Sequence, residues 1–266
     1  MLWKRKIALS VGGKVITNPL RIEIDVTFSE VPETDVGTVT VYNLQDSTIN
    51  AISAAKTMRI SAGYESDYGN IFNGEVINAT TSWSGNDKVT EFELADSNKK
   101  YREERVTKSF APGTTSDEVL MYLIAKAGLG VAEFAPVKTI TYRNGVTVTG
   151  KVQDSIKKVI AETDSKYYVK ANMAYVRNPK KGDMRGFVLN KNTGLVDTPE
   201  RFEKTEGDKE VVGYKVKSLI NHQITTDSII FVESRAVSGM FRVSEGTHSG
   251  NNIDGQLLTE MEVYPI

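Results

Sequence analysis

The chain has 266 residues, and its 39% hydrophobic and 25% charged residues are typical of an ordinary globular protein. Its 33 basic residues nearly balance its 34 acidic residues, so the net charge of −1 gives no general electrostatic reason to bind nucleic acid or an anionic membrane. The absence of cysteine excludes disulfides, thiolate metal sites and thiol nucleophiles. No apolar run approaches the roughly 20 residues that span a bilayer. The basic residues near the start are followed by no apolar segment, so we expect no signal peptide and folding in a cytoplasm.

The first hundred residues are predicted to be mainly strands. Two short strands, 4–11 and 14–17, flank Gly12-Gly13, and the alternation of Ile22, Ile24, Val26 and Phe28 with polar residues predicts the clearest strand, 21–28. The pattern continues with a strand at 37–42, a short helix at 48–55, a strand at 58–64 and a polar loop at 65–70.

Residues 71–96 predict a β-hairpin that ends this first β domain. Gly85-Asn86 is suited to its turn because both residues tolerate positive φ. In the second arm, Val89, Phe92 and Leu94 alternate with polar residues, which indicates one packed face and one wet face. Residues 1–100 as a whole have the pattern of a small antiparallel barrel or sandwich.

Helical signals begin after a charged connector at 99–108. Thr115 and Glu118 have capping-box spacing, the helix that follows carries an apolar stripe, and Gly128 suits its C-terminal end. A second helix is predicted at 152–163, followed by a hairpin, 166–170 and 173–177, around Ala171-Asn172.

The tail is predicted to return to strands, at 187–189, 211–218, 228–232, 239–243 and 257–264, with a charged and mobile segment at 199–209. The predicted fold class is therefore α+β and mainly β. Its expected domains are a first β domain at 1–108, a small α/β insert with two helices at 109–185, and a second β domain at 186–266.

The sequence offers few residues for catalysis. His222 and His248 have no zinc-like spacing, and no Gly-x-Ser-x-Gly elbow accompanies them, although a Ser/His/Asp triad is not excluded by order alone. Two carboxylate pairs, Glu91/Glu93 and Glu103/Glu104, would suit cell-wall cleavage. Because the first pair falls on a wet strand face and the second in a charged connector, a solvated role is favoured. We expect no catalytic, cofactor-binding or metal-ligating residue.

A sugar-stacking platform is a further alternative. Trp83 is predicted in a polar loop, and Tyr64 and Tyr68 are near it in sequence. Aromatic residues of a β protein are more often core or interface residues. No phosphate loop, dinucleotide turn or basic stretch with interleaved aromatics is present.

Several short motifs together resemble the family of phage tail hub proteins, which includes the late control D proteins and the hub part of type VI secretion spikes. The matching segments are Ile71-Phe72-Asn73-Gly74-Glu75-Val76, Phe92-Glu93-Leu94-Ala95-Asp96, Gly113-Thr114-Thr115, Ala127-Gly128-Leu129, the hairpin at 166–172, the Gly-Leu…Pro run at 193–200, and segments 216–221, 239–243 and 257–264. The chain departs from the pattern after Asn221, where His222-Gln223 and Thr226-Asp227 replace an expected Pro and Gly.

The resemblance implies a structural, non-enzymatic baseplate hub without a cofactor. It implies two tail-tube-like antiparallel β-barrels per chain and a homotrimer whose six barrels form a pseudo-sixfold ring between the tail tube and the central spike, with the chain ending at its second barrel and carrying no fused lysozyme or spike. The implied partners are a tail tube or distal tail protein, the spike, the tape measure protein and baseplate wedge proteins, with DNA only passing through and no stable membrane binding. The implied location is the virion tail baseplate, after assembly in the host cytoplasm.

We expect the strand faces that carry Glu23 and Asp25, or Glu91 and Glu93, to border the wet channel. A tail-associated cell-wall hydrolase and a carbohydrate-binding receptor module remain the alternatives.

Overall fold

The computed structural model describes residues 4–206 and 209–266. Residues 1–3 of the basic start, and residues 207 and 208 of the segment predicted to be mobile, lie outside this description. The chain divides into two compact units: one comprises the residues up to Ser29 with Val36–Ala95 and Gly182–Ile266, and the other comprises Glu30–Asp35 and Asp96–Lys181. The division into domains 1–108, 109–185 and 186–266 stays a prediction. No helix in the described ranges is long and apolar enough to span a membrane.

The first β region, here called the first lobe, agrees closely with the sequence prediction. Its elements are β1 (Arg5–Val11), β2 (Lys14–Ile16), β3 (Ile22–Phe28), β4 (Val36–Tyr42), α1 (Asp46–Ala55), β5 (Thr57–Tyr64), β6 (Asp67–Ser84) and β7 (Asp87–Ala95). The strands are antiparallel in the order β3-β4-β7-β6-β5-β1-β2. The predicted loop at 65–70 is wrong from Asp67 onwards, because β6 begins there and pairs with β5.

Alternating side chains build the core of the first lobe. Ile22, Ile24 and Val26 of β3 are buried, as are Phe92 and Leu94 of β7. They join one apolar cluster with residues of β1, β4 and β5. The turns are glycine-dependent as predicted, since φ is +55° and +77° at the Gly12-Gly13 turn and +61° at Gly85.

The second compact unit contains more regular structure than expected. It comprises α2 (Lys99–Glu103), β8 (Arg105–Phe110), α3 (Ser116–Lys126), β9 (Gly130–Phe134), β10 (Val146–Lys151), α4 (Val152–Glu162), β11 (Lys166–Lys170) and β12 (Met173–Arg177). The charged connector was a wrong prediction, because α2 and β8 occupy it. The capping box of Thr115 and Glu118, the left-handed Gly128 and the β11–β12 hairpin are confirmed.

The second β region, here called the second lobe, also differs from the prediction in one segment. Its strands are β13 (Asp183–Leu189), β14 (Leu195–Glu206), β15 (Lys209–Leu219), β16 (Ser228–Glu233), β17 (Ser238–Asn251) and β18 (Leu257–Pro265). The segment at 199–206 forms the end of β14 and pairs with β15, so a mobile segment there is wrong. The pairing of β13 with β16 is parallel and departs from the expected antiparallel arrangement.

The two lobes share one order of neighbouring strands. The first lobe pairs its strands in the path β3-β4-β7-β6-β5-β1, and the second lobe pairs its strands in the path β14-β15-β18-β17-β16-β13. Numbered along the chain within each lobe, with the hairpin strand β2 left out, these are the same path. The lobes differ in the direction of the last strand, because β1 pairs antiparallel with β5 whereas β13 pairs parallel with β16. The match extends to detail, because a one-residue bulge interrupts β6 at Ile77 and β17 at Ser244, each just after the strand's last pairing with β5 or β16.

Strand β17 joins the lobes into one sheet. Its C-terminal half pairs antiparallel with β3, from Gly246 opposite Phe28 to Asn251 opposite Glu23. The Phe28 side chain belongs to the apolar core of the second lobe, where its ring lies 4.9 Å from that of His248. Both lobes therefore form a continuous, mainly antiparallel sheet. No strand pairing among the described residues closes either lobe into a barrel.

Candidate functional site

The four acidic residues that were expected to border the channel lie together on one face of this sheet. Strand β4 separates β3 from β7, and its register places Thr40 between Glu23 and Glu91. Thr38 lies in the same way between Asp25 and Glu93. Direct cross-strand partners point to the same face of a sheet, so all four carboxylates share one surface, with those of β3 and β7 about 10 Å apart. We call it the acidic face, defined by Glu23, Asp25, Glu91 and Glu93.

The acidic face is only partly neutralised. Glu23 accepts a 2.8 Å hydrogen bond from Arg21 and one of 3.3 Å from the Tyr42 hydroxyl. The bond to Glu23 raises the pKa of the Arg21 guanidinium, which also lies 3.1 Å from Asp254. Burial, followed by the charge of Glu23, raises the pKa of Tyr42.

The remaining three carboxylates of the acidic face are not neutralised in this way. Within the described ranges, no basic side chain forms an ion pair with Asp25, Glu91 or Glu93. All three are exposed. The face therefore carries negative charge that no basic side chain in the described ranges compensates.

The second lobe continues this surface with residues that sequence analysis missed. Ser249 and Asn251 of β17 lie opposite Asp25 and Glu23, and they complete a shallow open groove of about 470 Å³ with Thr38, Thr40 and Arg21. This half of β17 was not predicted as strand because it is small and polar and lacks alternating apolar residues. Glu260 and Glu262 of β18 occupy the positions in the second lobe that correspond to Glu91 and Glu93 in the first. Glu260 lies 2.9 Å from Lys217, and Glu262 lies 3.9 Å from Lys215.

The two histidines are not brought together into a site. His248 is buried, and its Nδ1 lies 2.8 Å from the Thr259 hydroxyl. The Nδ1 of His222 lies 3.4 Å from a carboxylate oxygen of Asp67, and its ring packs on the backbone of Gly69. Among the residues that the structure describes, no group of three or more His, Asp and Glu could hold a metal ion.

The candidate catalytic pairs also lack a catalytic arrangement. Glu91 and Glu93 lie on the exposed side of β7 and project side by side into solvent. Glu104 forms a 2.9 Å ion pair with Lys126, and Glu103 lies 3.6 Å from Lys99. In the described part of the chain, neither pair holds its two carboxyl groups on opposite sides of a cleft, as cleavage of a glycosidic bond requires.

The three aromatic residues of the predicted sugar-stacking platform lie apart in the structure. Trp83 is 70% exposed near the tip of the β6–β7 hairpin, whereas Tyr68 lies near the other end of β6, on the order of 45 Å away. Tyr64 is buried in the core, and Lys6 covers the ring of Tyr68 at 4.4 Å. The three aromatic rings do not form one surface.

A buried carboxyl group on Asp96 was not anticipated, although Asp96 closes one of the resemblance motifs. Its backbone N–H donates to the Asp35 carbonyl at 3.1 Å, and its carbonyl accepts from Asn172 at 3.1 Å. One oxygen of its side chain has no hydrogen-bond partner. Burial, with the negative charge of Asp35, raises the pKa of Asp96 to about 8. A hydrogen bond from the Asp35 backbone and the charges of Lys170 and Arg102 oppose this shift less strongly.

Comparison with solved structures shows that the whole chain has the fold of known tail proteins. The 43 kDa tail protein of prophage MuSo2 from Shewanella oneidensis superposes with a TM-score of 0.68 at 10% identity, covering 98% of each chain. A tail protein from Neisseria meningitidis MC58 gives 0.68 at 7% identity, covering 98% of this chain and 97% of that one.

A third solved structure extends the similarity to secretion machinery. It is an Escherichia coli component of the type VI secretion system, described as structurally similar to the T4 bacteriophage tail proteins gp27 and gp5. Its TM-score is 0.64 at 9% identity, over 97% of this chain and 76% of that chain. At such low identity these likenesses show the fold alone.

The sequence itself identifies the family. Comparison with curated proteins finds no match. The family model described as baseplate hub gp41, in contrast, matches residues 4–238, which is most of the chain. The expected resemblance to phage tail hub proteins is thereby confirmed, and the chain belongs to the baseplate hub gp41 family.

Proposed function

We propose that three copies of this chain form a pseudo-sixfold ring that joins the tail tube to the central spike. The observation that carries the proposal is the shared order of neighbouring strands in the two lobes. Two similar lobes in one chain allow three chains to present six similar units around one axis, which suits a junction between a sixfold tube and a threefold spike. Membership of the baseplate hub family supports a structural role in a phage tail.

The acidic face lines the channel of this ring. Asp25, Glu91 and Glu93 are exposed and without ion pairs among the described residues, so they repel the phosphates of passing DNA rather than bind them. Screening limits this repulsion to about 10 Å from the wall at 0.1 M salt. An acidic wall therefore lets DNA pass without being held.

The ring contacts other tail proteins above and below. A tail tube or distal tail protein lies on one side and the central spike on the other, while the tape measure protein and baseplate wedge proteins are further partners. Assembly takes place in the host cytoplasm, and the finished ring resides in the virion baseplate.

Light scattering tests the proposal directly. The chain alone is expected to have a mass of three times 29.4 kDa, and in a complex with a co-expressed spike protein it is expected to contribute three copies to the total mass. A preparation that stays monomeric with the spike present would argue strongly against the ring.

A further inference from the structure

One half of β6 in the first lobe has an unpaired edge. The residues of β6 up to Glu75 pair with β5, whereas the residues from Asn78 to Ser84 pair only with β7 among the strands that the structure describes. Every residue from Ile77 to Ser84 except Ala79 is exposed. The free side of this half presents backbone N–H and C=O groups that another strand could bind.

The equivalent half of β17 in the second lobe has the same edge, but there it is covered. Arg242 is the last residue paired with β16, the bulge follows at Ser244, and residues 246–251 then pair with β3. No residue from 244 to 251 is exposed. The same structural position is thus filled within the chain in one lobe and open in the other.

Strand β3, which covers this edge of β17, has a counterpart in the second lobe whose own edge is uncovered. Strand β3 corresponds to β14, and β14 is the edge of the sheet, with β15 as its only strand partner in the described ranges. Its charged residues Glu200, Arg201, Glu203 and Lys204 are exposed. Charged residues and a proline, Pro199, are typical of an edge that is protected from indiscriminate pairing.

The repeated topology points to an intermolecular strand pairing: the free half of β6 in one copy pairs antiparallel with β14 of the next copy, as β17 pairs with β3 within the chain. This inference rests on the proposed ring and names the surface that builds it. Because the two edges are different surfaces, the contact is head-to-tail, and such contacts form a ring when the rotation closes.

The intrachain contact also gives the register. The bulges match Thr80, Thr81 and Ser82 of β6 with Thr247, His248 and Ser249 of β17. Thr38 of β4 corresponds to Lys215 of β15, because these residues pair with the corresponding residues Glu93 and Glu262. Asp25 lies opposite Thr38 and Glu200 lies opposite Lys215, so Asp25 corresponds to Glu200.

Transferring the β17–β3 pairs then places residues of one copy opposite residues of the next. Thr80 lies opposite Phe202, Thr81 opposite Arg201 and Ser82 opposite Glu200.

The chemistry of the two edges favours this partner. Residues 77–84 of β6 carry no charge, so the mixed charges of β14 meet no like charge there. Trp83 projects to the same side as Thr81, which brings its exposed indole beside the Arg201 guanidinium of the next copy. Tryptophan and arginine stack favourably and are frequent anchors of protein interfaces. The pairing thus accounts for a tryptophan that is otherwise left in solvent.

The absence of cysteine permits a direct cross-linking test on the full chain. Thr81→Cys combined with Arg201→Cys places two thiols directly opposite each other, where strand partners have Cα atoms about 4.5–5.5 Å apart, within disulfide range. Ser82→Cys combined with Glu200→Cys tests the other face of the same pairing. The matched control, Thr81→Cys with Lys204→Cys, is shifted by three residues, or about 10 Å, beyond disulfide reach. All the substituted side chains are exposed, so folding is preserved.

Mild oxidation followed by a denaturing gel without reductant gives the readout. We expect at least one of the two test pairs to yield covalent dimers and then trimers with no larger species, while the control stays monomeric on the gel. Adding Trp83→Ala to the productive pair should lower the cross-linking yield several-fold.

The other outcomes separate this pairing from the ring itself. Trimers by light scattering without cross-links in either test pair would overturn the pairing and leave the ring standing. An open-ended ladder beyond trimers would support the strand contact and contradict threefold closure. A monomer without cross-links would overturn both.

Discussion

The buried Asp96 makes stability depend on pH in a direction that is unusual for a carboxylate. The native state holds the Asp96 proton up to a pKa of about 8, whereas an unfolded chain releases it near 3.8. Unfolding therefore releases a proton between these values, and stability falls as pH rises. The stabilisation is complete below about pH 3.8 and is lost above about pH 8. At 1.36 kcal/mol per pKa unit, the loss between pH 5 and pH 8 is about 4 kcal/mol.

The substitution Asp96→Asn removes this dependence, because asparagine resembles the protonated acid and does not titrate. Hydrogen exchange of the α3 and α4 amides, corrected for the intrinsic effect of pH, measures the stability of the compact unit that contains Asp96. We expect the wild type to lose protection from pH 5 to pH 8 and the variant to keep it. Asp154→Asn, at an exposed carboxylate of α4, is the matched control and should follow the wild type. Parallel profiles for Asp96→Asn and the wild type would refute the argument from burial.

Three further predictions concern the lobes and the ring. Phe28→Ala should lower the free energy of unfolding by about 3–5 kcal/mol in urea titrations, because the ring lies in the core of the second lobe; a loss below about 1 kcal/mol would contradict this packing. Trp83→Ala should change monomer stability by less than about 0.5 kcal/mol yet shift sedimentation from trimer towards monomer; an unchanged trimer would contradict its role as an anchor. Glu91→Lys with Glu93→Lys should leave the trimer intact and create salt-sensitive DNA binding in fluorescence anisotropy; no gain of binding would argue against a channel-facing position.

Local sequence signals predicted the parts of the fold that depend on local chemistry. The alternation of Ile22, Ile24 and Val26 identified β3, and the capping box of Thr115 and Glu118 identified the start of α3. These signals succeed because one buried face or one capped end is decided by residues close in sequence. The wet positions of Glu91 and Glu93 followed from the same alternation.

Strands stabilised by distant pairing were missed. The charged run of β14 gave the signal of a mobile loop because an edge strand carries polar residues on both sides. The polar end of β17 is held by β3, which is more than 200 residues away in the chain. No local pattern reports such a partner.

The grouping of the acidic residues was only half predictable. Each pair, Glu23 with Asp25 and Glu91 with Glu93, was assigned to a wet face from its own strand. That both pairs share one face depends on β4 lying between β3 and β7, which is a property of topology. The likeness of the two lobes was implied only by the family resemblance, since it resides in strand order and bulge position rather than in residue identity.

An electron cryo-microscopy map of the assembled hub, with side chains visible, would show the proposed ring itself. We expect six similar lobes around one axis from three chains, Glu91 facing the pore, and β6 of each chain beside β14 of its neighbour. A map in which the two lobes of a chain do not share the ring, or in which Glu91 lies on the outer rim, would contradict this expectation.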